Sequence, residues 1–181
     1  MSWMQTYSGK KFHCHKPELM DIHFIDIAHS LSNICRFNGH CLQFYSVAQH
    51  CVIVSQNVDL KNAMWGLLHD AGEAYVGDMI RPMKCVFPEF VKIEDNILKL
   101  IAKRFHLCRN IPDQVRDVDN RILLNERRDI MMSTKDEWGI DGEPLTIGEI
   151  IPVSPCKAEK MFKSRFSEII AEKWCERYEV M

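Results

Sequence analysis

The sequence predicts an all-α fold, a single-domain helical bundle spanning residues 1–181. Three observations carry this expectation. Apolar residues recur at spacings of three and four along most of the chain, the period of a helix with one buried face. Serine and proline stand where helices would begin, at Ser46, Pro88, Pro112 and Ser154-Pro155. Only residues 145–147 look like a strand, too little for a sheet to build on.

Taken in order, the first helix is predicted over 21–35, with Ile22, Ile25, Ala28, Leu31 and Ile34 facing inward. Residues 36–40 form a turn, marked by Asn38-Gly39. Ser46 caps a second helix running to about residue 57. A third, continuous helix covers about 60–75 and contains His69, Asp70 and Glu73. Residues 76–88 read as a loop because Gly77, Pro82 and Pro88 interrupt the pattern. Pro88 then opens a helix to about residue 105, with Phe90, Ile93, Ile97, Leu100 and Ile101 on its inner face. Pro112 opens another, to about residue 132, with Met131 and Met132 read as core. Residues 138–153 are irregular apart from the short strand. The last helix follows Ser154-Pro155 and turns Met161, Phe162, Phe166, Ile169, Ile170 and Trp174 inward.

Composition narrows the class. Hydrophobic residues at 46% and charged residues at 27% suit a soluble globular chain. A formal net charge of -2 gives no global basic field to attract a nucleic-acid polymer, which leaves only a local basic pocket for phosphate. Apolar runs are too short for a membrane span, and residues 1–11 lack the basic-then-apolar pattern of a signal peptide. The eight cysteines contain no CxxC pair, so they are expected to be reduced, mostly buried thiols of a cytoplasmic protein.

The chemistry concentrates around His69-Asp70. On a helix, His69 and Glu73 share a face and Asp70 adjoins Glu73, so one turn presents an imidazole and two carboxylates to one spot. Asp78, just past Gly77, can fold back over it. His50, nineteen residues upstream, and Asp119, forty-nine residues beyond Asp70, are polar positions within apolar helical patterning. A shared metal would satisfy all four buried groups, His50, His69, Asp70 and Asp119. Asp117 is the rival for the last position, but Val118 and Ile122 place Asp119 nearer the core face. Two imidazoles and two carboxylates suit Mn, Fe, Co, Ni or Zn, with Mg accompanying substrate phosphates. Open positions on such an ion would take a phosphate oxygen and the attacking water.

Several segments together resemble a known family. They are WMQTYSGKKF at 3–12, DIAHSLSNICRFNGH at 26–40, YSVAQH at 45–50, LLHDAGE at 67–73, GDMIRPMK at 77–84 and DNRILLNE at 119–126. Taken together they resemble the HD-superfamily metal-dependent phosphohydrolases of bacteria and phages, a group that includes 5′-deoxynucleotidases and phage dATP triphosphohydrolases. The resemblance covers nearly the whole chain. It implies that His50, His69, Asp70 and Asp119 are the metal ligands, that Glu73 is the catalytic carboxylate and that Asp78 is a second acid near the attacking water. It matches Arg36 and Lys84 to substrate-contacting bases. It also implies a homo-oligomer, a dimer or a hexamer. This chain has Arg36-Phe37 where nucleotidase members often have Arg-Trp.

The expected reaction is hydrolysis of a deoxynucleoside triphosphate, dATP first, to deoxynucleoside and intact triphosphate. Arg36, Arg81 and Lys84 would neutralise the several charges of a triphosphate. Phe37 could stack on the base, and His40 is balanced between substrate contact and loop anchor. A 5′-deoxynucleotidase acting on dNMPs is the alternative within the class, and a non-catalytic metal-bound regulatory or assembly subunit the alternative outside it. The partner expected is a small nucleotide, without membrane, in the cytoplasm, or the host cytoplasm if the chain is phage-encoded. His13-Cys14-His15 is spaced too tightly for the usual zinc sites, and Lys10-Lys11 lacks the context of a phosphate-binding loop.

Overall fold

The computed structural model describes residues 3–179, with side chains described as far as Lys173. Trp174, expected on the inner face of the last helix, and Cys175 therefore lie outside the described side chains. The chain is mostly helical. A small hairpin, β1 (Met4–Gln5) and β2 (Lys11–Phe12), pairs Met4 with Phe12 in antiparallel register. Then come α1 (Phe24–Asn33), α2 (Val47–Gln56), α3 (Leu60–Leu68), α4 (Glu73–Val76), α5 (Arg81–Lys84), α6 (Pro88–Arg104), α7 (Asp113–Ile130) and α8 (Pro155–Glu179). Among the described residues, no helix is long and apolar enough to cross a membrane.

Helix α2 is the axis of the bundle. It packs on α1, α3, α7 and α8, and its burial is nearly all round, from Val47 to Val52. Ser46 caps it as expected, its hydroxyl accepting from the Gln49 N–H at 3.1 Å. The crossing with α3 is close because Gly66 has no side chain: a Cβ there would lie 2.7 Å from the Ser55 Cα. Pro88 and Pro155 occupy first helical positions, where a missing N–H costs nothing, and the Lys157 N–H reaches the Ser154 hydroxyl. One apolar core lies between α1, α2, α3, α6 and α8 around Leu31, Leu67, Ile97 and Phe162. A second, around Tyr45, Trp65, Val115 and Ile122, joins α7 to α2 and α3.

Several sequence expectations change. The first helix is shorter, preceded by a 3₁₀ turn over Leu19–Asp21. Ile25 is 44% exposed while Asp26 and Ile27 are buried, because a run of strict threes drifts around a 3.6-residue helix. Ile170 is also exposed, since it follows buried Ile169 directly and so points about 100° further round the helix. Residues 76–88 are not all loop, since α5 occupies their middle. Helix α7 ends at Ile130, and Met132 is 72% exposed rather than core. No strand forms at 145–147; the Ile147 N–H bonds back to the Leu145 carbonyl, and Asn125 on α7 takes the Leu145 backbone at both ends. Of the seven described cysteines, all free, only Cys51 is fully buried and Cys85, Cys108 and Cys156 are exposed.

The expected third helix breaks after Leu68. Bonds from Ala71 N to Leu68 O and from Glu73 N to Asp70 O are of the tight i→i+3 kind, and α4 then runs only to Val76. Gly77, with φ 87°, ends it where a side-chain-bearing residue would be strained. His69, Asp70 and Glu73 thus sit on a tight double turn, which swings Asp70 toward α2 rather than along a continuous helical stripe.

Candidate metal centre

Three elements converge on one spot. His50 comes from α2, His69 and Asp70 from the turn after α3, and Asp119 from α7. His50 Nε2 lies 3.2 Å from His69 Nε2, 3.2 Å from Asp119 Oδ1 and 3.6 Å from Asp70 Oδ2. His69 Nε2 lies 3.3 Å from Asp70 Oδ2 and 3.6 Å from Asp119 Oδ1. Neighbouring donors held about 2.0–2.2 Å from one first-row ion are separated by about 3.0–3.6 Å. The five distances are those of neighbouring donors on one ion, and the donors form two overlapping triads, His50–His69–Asp119 and Cys51–His69–Asp70, so Cys51 of α2 is a further candidate donor that the sequence reading missed. Asp117, the rival, is 61% exposed and pairs with Arg121.

The outer contacts fix both imidazoles the same way round. Glu126 Oε1 is 2.7 Å from His50 Nδ1, and the Gly66 carbonyl is 2.8 Å from His69 Nδ1. A carboxylate and a carbonyl only accept, so each Nδ1 carries the hydrogen and each Nε2 lone pair points into the cluster. Glu126 was not anticipated as a site residue. Its sequence signal is its place seven residues after Asp119, two turns along the same face of α7.

The electrostatics ask for positive charge. Burial pushes the Asp70 and Asp119 carboxyls up, but the His50 and His69 imidazoles outweigh it and hold both below the usual carboxylate range. Burial opposes a charge on His69, yet Asp70 and Asp119 raise its affinity for a proton well above normal. A proton and a divalent cation answer the same demand.

Glu73 and Asp78 lie beside the cluster under different conditions. Burial, then repulsion from Asp70 and Asp78, pushes the Glu73 carboxyl well up. Glu73 is 4% exposed, and its Oε2 is a buried acceptor with no hydrogen-bond partner among the described residues. Burial also raises Asp78, against the pull of Arg36. Lys84 on α5 stands 3.5 Å from Glu73 Oε1 but 2.9 Å from Glu94, so its charge serves Glu94 first.

The other sequence-predicted residues are placed as follows. Arg36 is buried, its NH2 3.0 Å from Glu126 and its NH1 3.6 Å from Asp70. It is held by a backbone bridge between Cys35 and Ser46, with the Arg36 N–H on the Tyr45 carbonyl. Phe37, Asn38 and Gly39 follow with φ of 54°, 52° and 79°. Two left-handed side-chain-bearing residues in a row cost about 1–2 kcal/mol each. Phe37 packs on Trp138, ring centroids 5.5 Å apart. Arg81 is exposed and reaches Asp119 Oδ2 at 3.4 Å and Asn120 at 3.0 Å. His40 is exposed at the end of the turn, and no side-chain contact with the cluster is observed among the described residues. His13 and Cys14 take no part in a metal-binding group among the described residues.

Two cavities lie nearby. One of 270 Å³ is lined by Asn38, Asp78, Met79, Ile80, Met83 and Phe90, alongside Asp78. A larger one of 360 Å³ lies between the hairpin, α1 and α4, with Asp26 its only carboxylate and no lysine or arginine in its wall. The smaller likewise has one carboxylate, Asp78, and no lysine or arginine in its wall, and it is bounded by Met83 of α5.

No family model matches the chain. It is 40% identical over 177 residues, 97% of this chain and 99% of the relative, to the uncharacterized protein YfdR of Escherichia coli (strain K12). It is 33% identical over 125 residues, 64% of each chain, to an uncharacterized protein of Rhodobacter capsulatus. Matched from end to end with the first of these relatives, the chain belongs to the YfdR family.

Proposed function

We propose that this chain is a metal-dependent phosphohydrolase of the HD superfamily that cleaves a deoxynucleoside phosphate at the phosphorus next to the sugar. The observation that carries the reading is the convergence of His50, His69, Asp70 and Asp119 with a buried, half-unpartnered Glu73 at their side. A purely structural site has no use for that extra carboxylate.

The ion held by those four residues would supply Lewis-acid activation of the phosphoryl group and of water. Glu73, with its raised proton affinity, accepts the proton from the attacking water. Asp78 orients that water, and the proton taken up by Glu73 passes to the departing 5′ oxygen of the sugar, which leaves Glu73 ready for the next turnover. Lys84 and Arg81, on the short α5, exchange their carboxylate partners for phosphate oxygens. The apolar wall of Met79, Ile80, Met83 and Phe90 accommodates the base, with Asn38 at its rim.

The leading substrate is dATP, giving deoxyadenosine and intact triphosphate. The monophosphate alternative has one specific observation in its favour. Arg36 is buried against Glu126, so two cations rather than three, Lys84 and Arg81, can exchange their partners for a phosphate chain. The test is a panel of dNTPs, NTPs and dNMPs with Mn, Co, Zn or Mg added, products resolved by chromatography, and a chelator control. Turnover of dATP to deoxyadenosine and triphosphate, lost in chelator and restored better by a transition metal than by Mg, is expected. Stepwise release through dADP and dAMP refutes the proposed point of attack. Turnover of dNMPs alone makes the chain a 5′-deoxynucleotidase, and a bound metal without turnover makes it a non-catalytic subunit. A homo-oligomer, dimer or hexamer, is part of the proposal, and light scattering at micromolar concentration tests it.

A further inference from the structure

Two of the inner ligands, His50 and Asp70, belong to a closed ring of contacts that is buried except at Asp70. Starting from His50, Nδ1 donates to Glu126 Oε1 at 2.7 Å. Glu126 Oε2 accepts from Arg36 NH2 at 3.0 Å. Arg36 NH1 lies 3.6 Å from Asp70 Oδ2, and Asp70 Oδ2 returns to His50 Nε2 at 3.6 Å. Glu126 and His50 have no solvent exposure, and Arg36 has 8%. Two inner ligands from different elements are thus tied to each other through an ion pair that does not itself enter the cluster.

We propose that the buried Glu126–Arg36 pair is an outer clamp on His50 and Asp70 that sets how tightly this centre binds its ion. Glu126 and Arg36 are positioning residues. The clamp rests on the reading of the cluster as a metal centre, but not on any substrate. Three physical points support it. First, an acceptor-only carboxylate on Nδ1 forces the tautomer that leaves Nε2 free and makes the imidazole a better donor. His69 has only a neutral carbonyl in that place, so His50 is the more strongly polarised of the two. Second, a charged pair buried this deeply is a poor way to gain stability, since an apolar pair of the same volume serves as well. Its retention calls for another role, and the contact with two ligands supplies one. Third, the backbone around Arg36 is specialised to hold it, with the Cys35–Ser46 bridge before it and the left-handed run of Phe37 and Asn38 after it. A side chain free to swing onto substrate would not need that framing.

Both guanidinium NH groups are engaged, and Arg36 Nε is a buried donor without a partner among the described residues. Arg36 therefore acts on the centre before any nucleotide arrives. Its removal must show in metal binding measured without nucleotide.

The experiment titrates the metal-free full chain with Co²⁺ in competition with a chromogenic chelator, recording the visible absorption of the bound ion. Glu126→Gln keeps the volume and removes the charge. The double variant Arg36→Met/Glu126→Gln removes both charges, so neither is left buried alone. Arg104→Met is the control, because Arg104 at the end of α6 binds the Ile22 carbonyl and has no contact with the cluster among the described residues. The wild type and the Arg104 variant are expected to bind Co²⁺ equally. Both Glu126 variants are expected to bind it about 10–100-fold more weakly, with a changed visible spectrum. Equal affinity and an identical spectrum in the double variant overturn the clamp and leave the metal centre standing. Absence of Co²⁺ binding in the wild type overturns both. A measurement without any substitution guards against variants that do not fold: nitrogen-15 histidine NMR of the Co²⁺-free and Zn²⁺-loaded wild type. His50 is expected to keep a downfield, exchange-protected Nδ1–H in both states. Metal on Nδ1, or an Nε2–H tautomer in the loaded protein, overturns the clamp.

Discussion

Replacing Gly66 with alanine would separate the two helices that carry the histidines. A Cβ at 66 meets the Ser55 Cα at 2.7 Å, the Ser55 N at 3.1 Å and Val58 Cγ2 at 3.2 Å. Comfortable carbon–carbon contact begins near 3.5 Å, so α2 and α3 must part by about 0.8 Å. The nearest obstacle is backbone, which cannot rotate away. Overpacking of this kind costs about 1–3 kcal/mol, and a backbone clash belongs at the upper end. Alanine returns about 1 kcal/mol through helix propensity. The net loss is about 2 kcal/mol, or about 4–8 °C in Tm for a chain of this size. The site shares the damage. Ser55 lies five residues after His50, and Gly66 three before His69, whose Nδ1 uses the Gly66 carbonyl. Parting the helices carries the 3.2 Å separation of the two Nε2 atoms toward about 4 Å, beyond what neighbouring ligands of one ion tolerate. Thermal unfolding with and without Zn²⁺ reads both effects: Tm falls, and the rise in Tm on adding Zn²⁺ shrinks. An unchanged or higher Tm for Gly66→Ala would show that the α2–α3 contact has slack, and the reasoning would fail.

Other expectations are simpler. Ser46→Ala removes the hydroxyl that caps α2 and should cost about 1 kcal/mol in denaturant unfolding, whereas Ser154→Ala, whose contact is longer, should cost less. Arg128, aided by the Ile150 N–H, holds the Asp129 carboxyl below its usual range. A depressed carboxylate contributes stability above its unfolded value and loses it as pH falls through the folded one, so Asp129→Asn should flatten the acid side of the stability–pH curve; an unchanged slope would deny Asp129 that part. Glu73→Gln should keep its metal by chelator competition yet lose about 10²-fold or more in turnover, and normal turnover would remove Glu73 from the mechanism.

The helical class was legible because it depends on local signals. Ser46, Pro88 and Ser154-Pro155 mark helix starts through hydrogen bonds and backbone angles that need no tertiary partner. The candidate ligands were legible for a different reason: His50, His69, Asp70 and Asp119 are polar residues within apolar patterning, the histidines buried and the carboxylates partly so, and a shared partner makes such burial tolerable. What escaped depends on three-dimensional competition. The break at 69–72 has no proline to announce it; the chain gives up the α-helical ladder where the side chains of His69 and Asp70 must both reach the cluster. The hairpin at 4–12 is two residues per strand and exists because Phe12 stacks on Tyr75. Glu126 read as one more charged residue on a long amphipathic helix; its place two turns after Asp119 sets it on the same face, but the approach of α2 and of the 36–40 turn is what makes it a buried partner for both His50 and Arg36.

The charges around the centre explain why this fold would be stabilised by the ion it is proposed to hold. Among the described residues, the six carboxylates Asp70, Asp119, Glu126, Glu73, Asp78 and Glu94 are answered by three permanent cations, Arg36, Lys84 and Arg81, and by the His50 and His69 imidazoles. Glu73 bears the cost most directly, because it is buried, repelled by Asp70 and Asp78, and second to Glu94 in its claim on Lys84. Its carboxyl is raised in the folded state, so ionisation opposes folding increasingly as pH rises above its unfolded value. Glutamine at 73 removes that opposition while keeping the shape. The metal-free Glu73→Gln protein should therefore melt higher than the metal-free wild type at neutral pH, with the difference vanishing at acid pH where the wild-type carboxyl is protonated. An ion bound at a hundredfold excess over its Kd adds about 2.7 kcal/mol to the wild type by mass action, and because it also relieves the repulsion on Glu73, the gap between the two proteins should narrow on loading. A structural carboxylate would behave oppositely: if the main role of Glu73 were to anchor Lys84, its loss would lower Tm at neutral pH, loaded or not, and the assignment of Glu73 as the proton acceptor would lose its physical basis.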